Sequence, residues 1–232
     1  LISAMSKKKG TEVTVRFTSG WNSERMNDFA EGMMLRDYEF LEHQEVPDEY
    51  IDEPWTVNFQ ANSRYQSSLK ESLSESLAIV AGVHLARDLG NEPANVLYPM
   101  EYARRAQEWA KNKNNVVVDV YDWEKLQELG MGGLINVGKG SERKPCMVIF
   151  EMNKDVKGKC PVLVGKGITF DTGGISLKPG ANMDQMKYDM GGSATVFGTM
   201  EALAQTGHEG KVVGITCMAE NMPAANATRP GD

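Results

Sequence analysis

The run Val164-Gly-Lys166-Gly-Ile-Thr-Phe-Asp171-Thr-Gly-Gly-Ile-Ser-Leu-Lys178-Pro179, continued by Met183-Asp184-Gln-Met186-Lys-Tyr-Asp189-Met190-Gly191-Gly192, decides how this chain is read. An apolar segment, Val162 to Val164, predicts a buried strand that ends at Val164 and delivers Lys166 and Asp171 into a glycine-rich turn at its carboxyl end. In an open α/β sheet that edge is where ligands bind. Asp189 comes just before Gly191-Gly192, at the start of a predicted helix from Ser193 to Gln205, so the chain can fold it back toward Asp171.

Outward from this run the elements alternate. Upstream, the spacing predicts a helix over Glu101 to Lys113, a strand over Val116 to Tyr121, a short helix over Trp123 to Leu129 and a strand over Met147 to Phe150; downstream, it predicts a strand over Val212 to Met218. This order argues an α/β fold with a largely buried sheet. Further upstream, Leu73, Leu77, Val80, Ala81, His84 and Leu85 fall on one face of a predicted long helix, Ser72 to Leu89, with Gly90 and Pro93 as its stop. His84 on that stripe reads as a satisfied core histidine. Before it come a strand over Glu12 to Phe17, a helix over Ser23 to Leu35, an acidic loop between Asp37 and Glu53 punctuated by Pro47 and Pro54, and a short strand around Trp55, Val57 and Phe59. We divide the chain into 1–70, a linker helix 71–90, and 91–232.

Composition bounds the function. Of 232 residues, 25 are Lys or Arg and 32 are Asp or Glu, a net charge of −7 that disfavours nucleic acid and anionic membranes as partners. No stretch approaches the roughly 18 to 20 apolar residues of a membrane helix. Nor does a signal or transit segment follow Leu1. A soluble, cytoplasmic chain whose natural start lies upstream is expected. Cys146, Cys160 and Cys217 are odd in number and widely spaced, which favours small buried thiols over disulfides or a thiolate metal site. The sequon Asn226-Ala227-Thr228 reads as accidental.

Two other motifs point elsewhere but fall short. Gly133 to Gly140 nearly fits a phosphate loop, but Gly140 stands where the hydroxyl that holds magnesium is needed. Asp171-Thr-Gly is the aspartic-protease signature, yet a second copy is absent and the helix-rich pattern disagrees with an all-β protease. With only His43, His84 and His208 and no cysteine cluster, a divalent site would have to be mostly carboxylate, which metals neutralise. Lysine is an unusual ligand, because its amine must shed a proton first, a loss that a nearby dication drives. Taken singly, Asp171 reads as a turn residue, Asp189 as a helix N-terminal acid, and Lys166 and Lys178 as solvated. The ordered set points to a site.

These residues resemble the leucyl aminopeptidases of the cytosol aminopeptidase family. The resemblance extends through Leu85-Ala-Arg-Asp-Leu-Gly-Asn91-Glu-Pro93-Ala-Asn95, Ala219-Glu-Asn221 and Arg229-Pro-Gly-Asp232, and covers about two-thirds of the chain. It implies a three-layer α/β/α catalytic domain with a mixed, largely parallel sheet, preceded by the end of a smaller α/β amino-terminal domain. It also implies that Lys166, Asp171 and Asp189 are ligands of two divalent ions (zinc or manganese, with magnesium or cobalt possible), Asp171 bridging both. Lys178 is then the catalytic lysine that polarises the scissile carbonyl of a bound peptide while an activated water attacks. The peptide's free amino terminus meets one ion, and Met186 lines the pocket for its first side chain. Met183 and Met190 share helical spacing with Met186 and read equally well as core. Hexameric assembly and a leucine-type preference follow from the family.

One cluster of the family pattern, Asn-Thr-Asp-Ala-Glu-Gly-Arg, is absent from the 232 residues. Two ions roughly 3.5 to 4 Å apart are not held by three ligands. The isolated chain is therefore expected to be an inactive fragment of an aminopeptidase. The rival reading is a non-catalytic pseudo-enzyme that keeps the fold for assembly or binding.

Overall fold

The structure, a computed structural model, describes residues 12–45 and 56–232 and divides into two units, one up to His84 and one from Leu85 onward. The boundary falls inside one long helix, so each unit is built around its own elements.

In the first unit, β1 (Glu12–Arg16) pairs in parallel with β2 (Thr56–Gln60), with Val15 opposite Phe59. Phe17, just past β1, stacks on Phe59 with ring centroids 5.7 Å apart and also meets Trp21 and Phe29. Helix α1 (Ser23–Arg36) starts where the Asn22 side chain accepts the backbone N–H of Arg25 at 2.9 Å. Its buried residues Met26, Ala30 and Met33 follow the helical period. Pro47, Glu53, Pro54 and Trp55 of the expected acidic loop and second strand lie outside the described residues.

Helix α2 (Gln66–Asn91) is longer at both ends than its apolar stripe suggests. It passes through Gly90, and the effective stop is Pro93, which drives the residue before it out of the helical region. Leu69, Ser76 and Val80 are buried, whereas Leu77, expected on the buried face, is 55% exposed. The reason is a polar seam with α1: Ser76 Oγ accepts from Asn27 Nδ2 at 3.0 Å and donates to Glu31 Oε2 at 2.7 Å, which turns Ser76 inward in place of Leu77. His84 packs its ring on Tyr38 at 5.1 Å, but its buried Nε2 has no hydrogen-bond partner among the described residues. The residue as a whole is half-buried, so it is neither deep in the core nor satisfied at Nε2 as expected, its ring meeting the aromatic face of Tyr38.

The second unit contains α3 (Pro99–Ala110), β3 (Val116–Tyr121), α4 (Trp123–Glu128), α5 (Gly132–Gly138), β4 (Cys146–Met152), β5 (Val162–Asp171), a 3-10 turn (Met183–Tyr188), α6 (Gly191–Gln205) and β6 (Val212–Asn221). The strands form a sheet of order β3-β4-β6-β5. It is mixed, as expected, but only β5 with β6 is parallel, and β3–β4 and β4–β6 run antiparallel. The expectation of a largely parallel sheet is corrected here. Two short helices between β3 and β4 let the chain return antiparallel, where a single crossover helix would have brought it back parallel.

Helices α3 and α6 close one face of this sheet. Trp109 and Phe197 meet Phe150 at ring separations of 6.0 and 5.1 Å, and Tyr102 crosses Phe197 at 5.7 Å. The buried Tyr102 hydroxyl donates to the carbonyl of Ser193 at 2.8 Å, which ties α3 to the first turn of α6. Leu89, Leu97, Val148, Met152, Met190 and Met200 complete the core. Met190 is therefore a core residue, while Met183 and Met186 are half-buried. Cys146 is buried as expected, but Cys160 and Cys217 are only partly so. The near phosphate loop is a helix instead. A Cβ on Gly138 would lie 2.7 Å from the Pro145 ring and one on Gly140 2.5 Å from the Met222 carbonyl, so these glycines serve packing. Among the described residues, no helix is long and apolar enough to cross a membrane.

Candidate metal centre

Lys166 and Asp171 both lie on β5, not in a turn after Val164. Five residues separate them, an odd interval that in a regular strand puts two side chains on opposite faces. The pairing with β6 contains an irregularity: Ile168 pairs with Ala219 and Phe170 with Glu220, so Thr169 is the extra residue of a β-bulge. Beyond it the phase reverses, and Asp171 falls opposite Asn221, on the side of the strand that Lys166 occupies. The buried Thr169 hydroxyl donates to the Ala219 carbonyl at 3.2 Å and fixes the bulge.

Gly165 and Gly167 have the opposite phase and face α6. A Cβ on Gly165 would lie 2.6 Å from the Gly192 carbonyl, and one on Gly167 2.6 Å from Ser193 Oγ. Bare backbone at these two positions lets the start of α6 rest directly on β5. Asp189, two residues ahead of that helix, thereby reaches Lys166, whose Nζ is 2.7 Å from Asp189 Oδ1.

After Asp171 the chain turns through Gly173 and Gly174, at φ +87° and +67°, left-handed conformations that glycine adopts without strain. The turn is closed by the Lys178 N–H donating to the Thr172 carbonyl at 2.8 Å. Lys178 then folds back: its ammonium bonds Asp171 Oδ2 closely, and also donates to the Asp171 carbonyl at 3.2 Å and Met186 Sδ at 3.3 Å. Met186 is held in reach because its 3-10 turn is tethered to Asn91, by Lys187 Nζ at 3.1 Å and the Tyr188 hydroxyl at 3.0 Å.

Two lysine–carboxylate pairs thus make up the site, Lys166 with Asp189 and Lys178 with Asp171, and Met186 joins the second. Asp171 Oδ1 accepts two further hydrogen bonds, from the Gly173 N–H at 2.9 Å and from Asn221 Nδ2 at 2.7 Å. Burial alone would raise the Asp171 carboxyl. The Lys178 ammonium, the Gly173 N–H and the Asn221 amide outweigh it and hold the group below the ordinary aspartate value.

Sequence reading had assigned no role to Asn221 or Glu220. Glu220 is buried, takes the Ser141 hydroxyl at 2.5 Å, and lies 3.7 Å from Arg143. Arg143 in turn holds the carbonyls of Ala94 and Asn95. Both residues stand in the tripeptide Ala219-Glu-Asn221 that carried part of the family resemblance, and that was their only signal.

The fit of these residues to a divalent cation is tested at Asp189. Its Oδ2 is buried with no hydrogen-bond partner among the described residues, although Oδ1 is paired with Lys166. An ionised oxygen removed from water without a partner is costly, and a cation is the species that relieves it. The donors fit such an ion: two carboxylates and an amine on adjoining elements. Among the described residues, no three His, Cys, Asp or Glu side chains cluster in a way that could hold a metal, so Lys166 is needed to make up the set.

Residues 84–232 match the catalytic domain of the cytosol aminopeptidase family. The chain is 46% identical over 173 residues to the cytosol aminopeptidase of Pseudomonas aeruginosa, covering 74% of this chain and 35% of that one. It is 48% identical over 168 residues to the probable cytosol aminopeptidase of Azotobacter vinelandii, covering 72% and 34%. The chain thus spans about a third of the length of these relatives. Among solved structures, the bottromycin maturation enzyme BotP in complex with Mn superposes with a TM-score of 0.83 at 34% identity, covering 99% of this chain and 48% of that one. The cytosol aminopeptidase of Coxiella burnetii superposes with a TM-score of 0.80 at 23% identity, over 100% of this chain and 47% of its own, a likeness of fold.

Proposed function

Since the chain belongs to the cytosol aminopeptidase family, we propose that it carries the first ligands and the catalytic lysine of a metal-dependent aminopeptidase that releases single amino-terminal residues, leucine-type by preference, from peptides. The observation that carries this reading is the pair of partly buried carboxylates, Asp171 and Asp189, each paired with a lysine, with Asp189 Oδ2 lacking a partner among the described residues.

Lys166, Asp171 and Asp189 would hold two divalent ions, zinc or manganese in the first place and magnesium or cobalt as alternatives, with Asp171 shared. The Mn named with BotP supports manganese. Bound cations would supply a water acidic enough to attack at neutral pH and positive charge beside the peptide's amino terminus. The Lys178 ammonium, which bonds Asp171 Oδ2 in this structure, would stabilise the oxyanion that forms at the scissile carbonyl. Met186, in contact with Lys178, offers a soft apolar wall to the first side chain. Three ligands are too few for two ions, so the chain by itself is inactive and further carboxylates complete the site.

In this reading residues 91–232 form the catalytic part, 71–90 the linker helix and 1–70 the end of an amino-terminal domain. This reading includes a hexamer in the cytoplasm acting on peptides; the compartment and the substrate class accord with the names of the relatives, and the exclusion of nucleic acid and anionic membrane with the net charge of −7. The test is Mn2+ titration of the chain by calorimetry beside Asp171→Ala, with hydrolysis of leucine amide measured in an assembly that supplies the missing carboxylates. Binding lost in the variant, with metal-dependent hydrolysis in the assembly, is expected. Absence of both identifies the non-catalytic alternative.

A further inference from the structure

A carboxylate oxygen offers two lone-pair sites in the plane of the group. At Asp171 Oδ1 both are taken, by the Gly173 N–H at 2.9 Å and Asn221 Nδ2 at 2.7 Å. Among the described residues, Oδ2 is bonded by the Lys178 ammonium alone, a partner that a cation can displace.

Asn221 is itself fixed at the end of β6. Its peptide carbonyl accepts the Thr172 N–H at 3.0 Å and the Thr172 hydroxyl at 2.8 Å. Its side-chain Oδ1 lies beside the bare Cα of Gly174, where a Cβ would come within 2.8 Å. An ionised carboxylate only accepts, so the carboxamide must present its NH2 to Asp171. The register completes the arrangement, because the bulge at Thr169 makes Asp171 and Asn221 direct partners.

We propose that Asn221 is a positioning residue of the cation site: by filling Asp171 Oδ1 it fixes the carboxylate plane and presents Oδ2 alone to the ion. The inference rests on the metal-site reading above and adds a residue and a ligating mode to it. Groups that orient a metal ligand in this way typically contribute about 10- to 100-fold to metal affinity.

The experiment is titration of the 232-residue chain with Co2+, followed by calorimetry and by visible absorption, for the parent, Asn221→Ala and Asp171→Ala. Asn221→Ala keeps the Thr172 bonds, which run to the peptide carbonyl of residue 221, so the strand end persists and far-UV circular dichroism should match the parent. Should Ala not fold, Asn221→Ser, too short to reach Asp171, carries the same test. The expected result is Co2+ affinity lower by roughly 10- to 100-fold with a displaced absorption band, because Oδ1 becomes available and the carboxylate rotates. A folded variant with unchanged affinity and spectrum overturns the role of Asn221. A parent chain that binds no Co2+, as weakly as Asp171→Ala, overturns the metal-site reading and this inference with it.

Discussion

Lys166 Nζ and Asp189 Oδ1 stand 2.7 Å apart, joining the middle of β5 to the residue two places ahead of α6, while the second oxygen of the same carboxylate is buried and has no partner among the described residues. Asp189→Asn removes the orphaned charge. The metal-free variant should therefore melt at or above the parent temperature, since an unpaired buried group costs about 1–3 kcal/mol. The rise in melting temperature that Mn2+ gives the parent should disappear. Thermal melts with and without Mn2+ measure both, and a variant still stabilised by Mn2+ would remove Asp189 from the ligand set.

Lys178 bonds Asp171 and Met186 and its side chain is partly exposed. Lys178→Met should leave the fold intact and lower kcat for leucine amide by roughly 10²–10³ in an active assembly containing this chain, the usual loss for one oxyanion donor. Steady-state kinetics decide it. A loss confined to KM would place Lys178 in binding and not in chemistry.

At Gly167 a methyl group has no room, because its Cβ would press on Met218 Sδ, Ser193 Oγ and the Cys217 carbonyl. Gly167→Ala should cost about 1–3 kcal/mol as an overpacked site does, read as a lower urea midpoint. At Gly133, with nothing within 4 Å of the same probe position, the substitution should change little.

Thiol reactivity should follow burial. Burial first, with the neighbouring Cys217 adding to it, pushes the Cys146 thiol up to about 12. Burial likewise raises Cys217. Cys160 is partly exposed and should be alkylated first at pH 8, with Cys146 labelled only on unfolding. Peptide mapping after timed iodoacetamide treatment gives the order, and early labelling of Cys146 would contradict the packing of β4.

Acid should weaken the second unit through carboxyls held low in the fold. The Arg104 hydrogen bond, against burial and with help from Arg105, takes Glu101 from 4.5 to about 2, and Asp171 also lies below its ordinary value. Such groups stabilise fully above their unfolded pKa and lose that contribution as pH falls through the folded one. For Glu101 the window runs from 4.5 down to about 2. Glu101→Gln should flatten the fall in melting temperature across that window, by a small amount because its partner Arg104 is mostly exposed. An unchanged slope would show that the ion pair persists in the unfolded chain.

Much of this was legible in the chain of letters. Apolar spacing located nearly every helix and strand of the second unit, because burial of one face leaves a period in the sequence. The short helix over Gly132–Gly138 was missed, since six of its seven residues belong to a glycine-rich run that mimics a phosphate loop. Leu77 was put inside because periodicity ranks Leu above Ser, and only the bonds from Ser76 to Asn27 and Glu31 show why the helix turns the other way. Lys166, Asp171, Lys178, Met186 and Asp189 were all named from order and resemblance.

What the sequence by itself determined is the kind of residue and its rank along the chain: two carboxylates and two lysines at the end of a strand, with glycines where backbones must touch. Their phase it could not determine. Lys166 and Asp171, five apart, share a side only because Thr169 is unpaired, and that depends on which carbonyl of β6 each residue of β5 meets. The same pairing brings Asn221, 50 residues away, onto Asp171 Oδ1. Register is a relation between two segments, fixed by the sheet's hydrogen bonds and by the seating of α6 on Gly165 and Gly167, so no spacing within either segment encodes it.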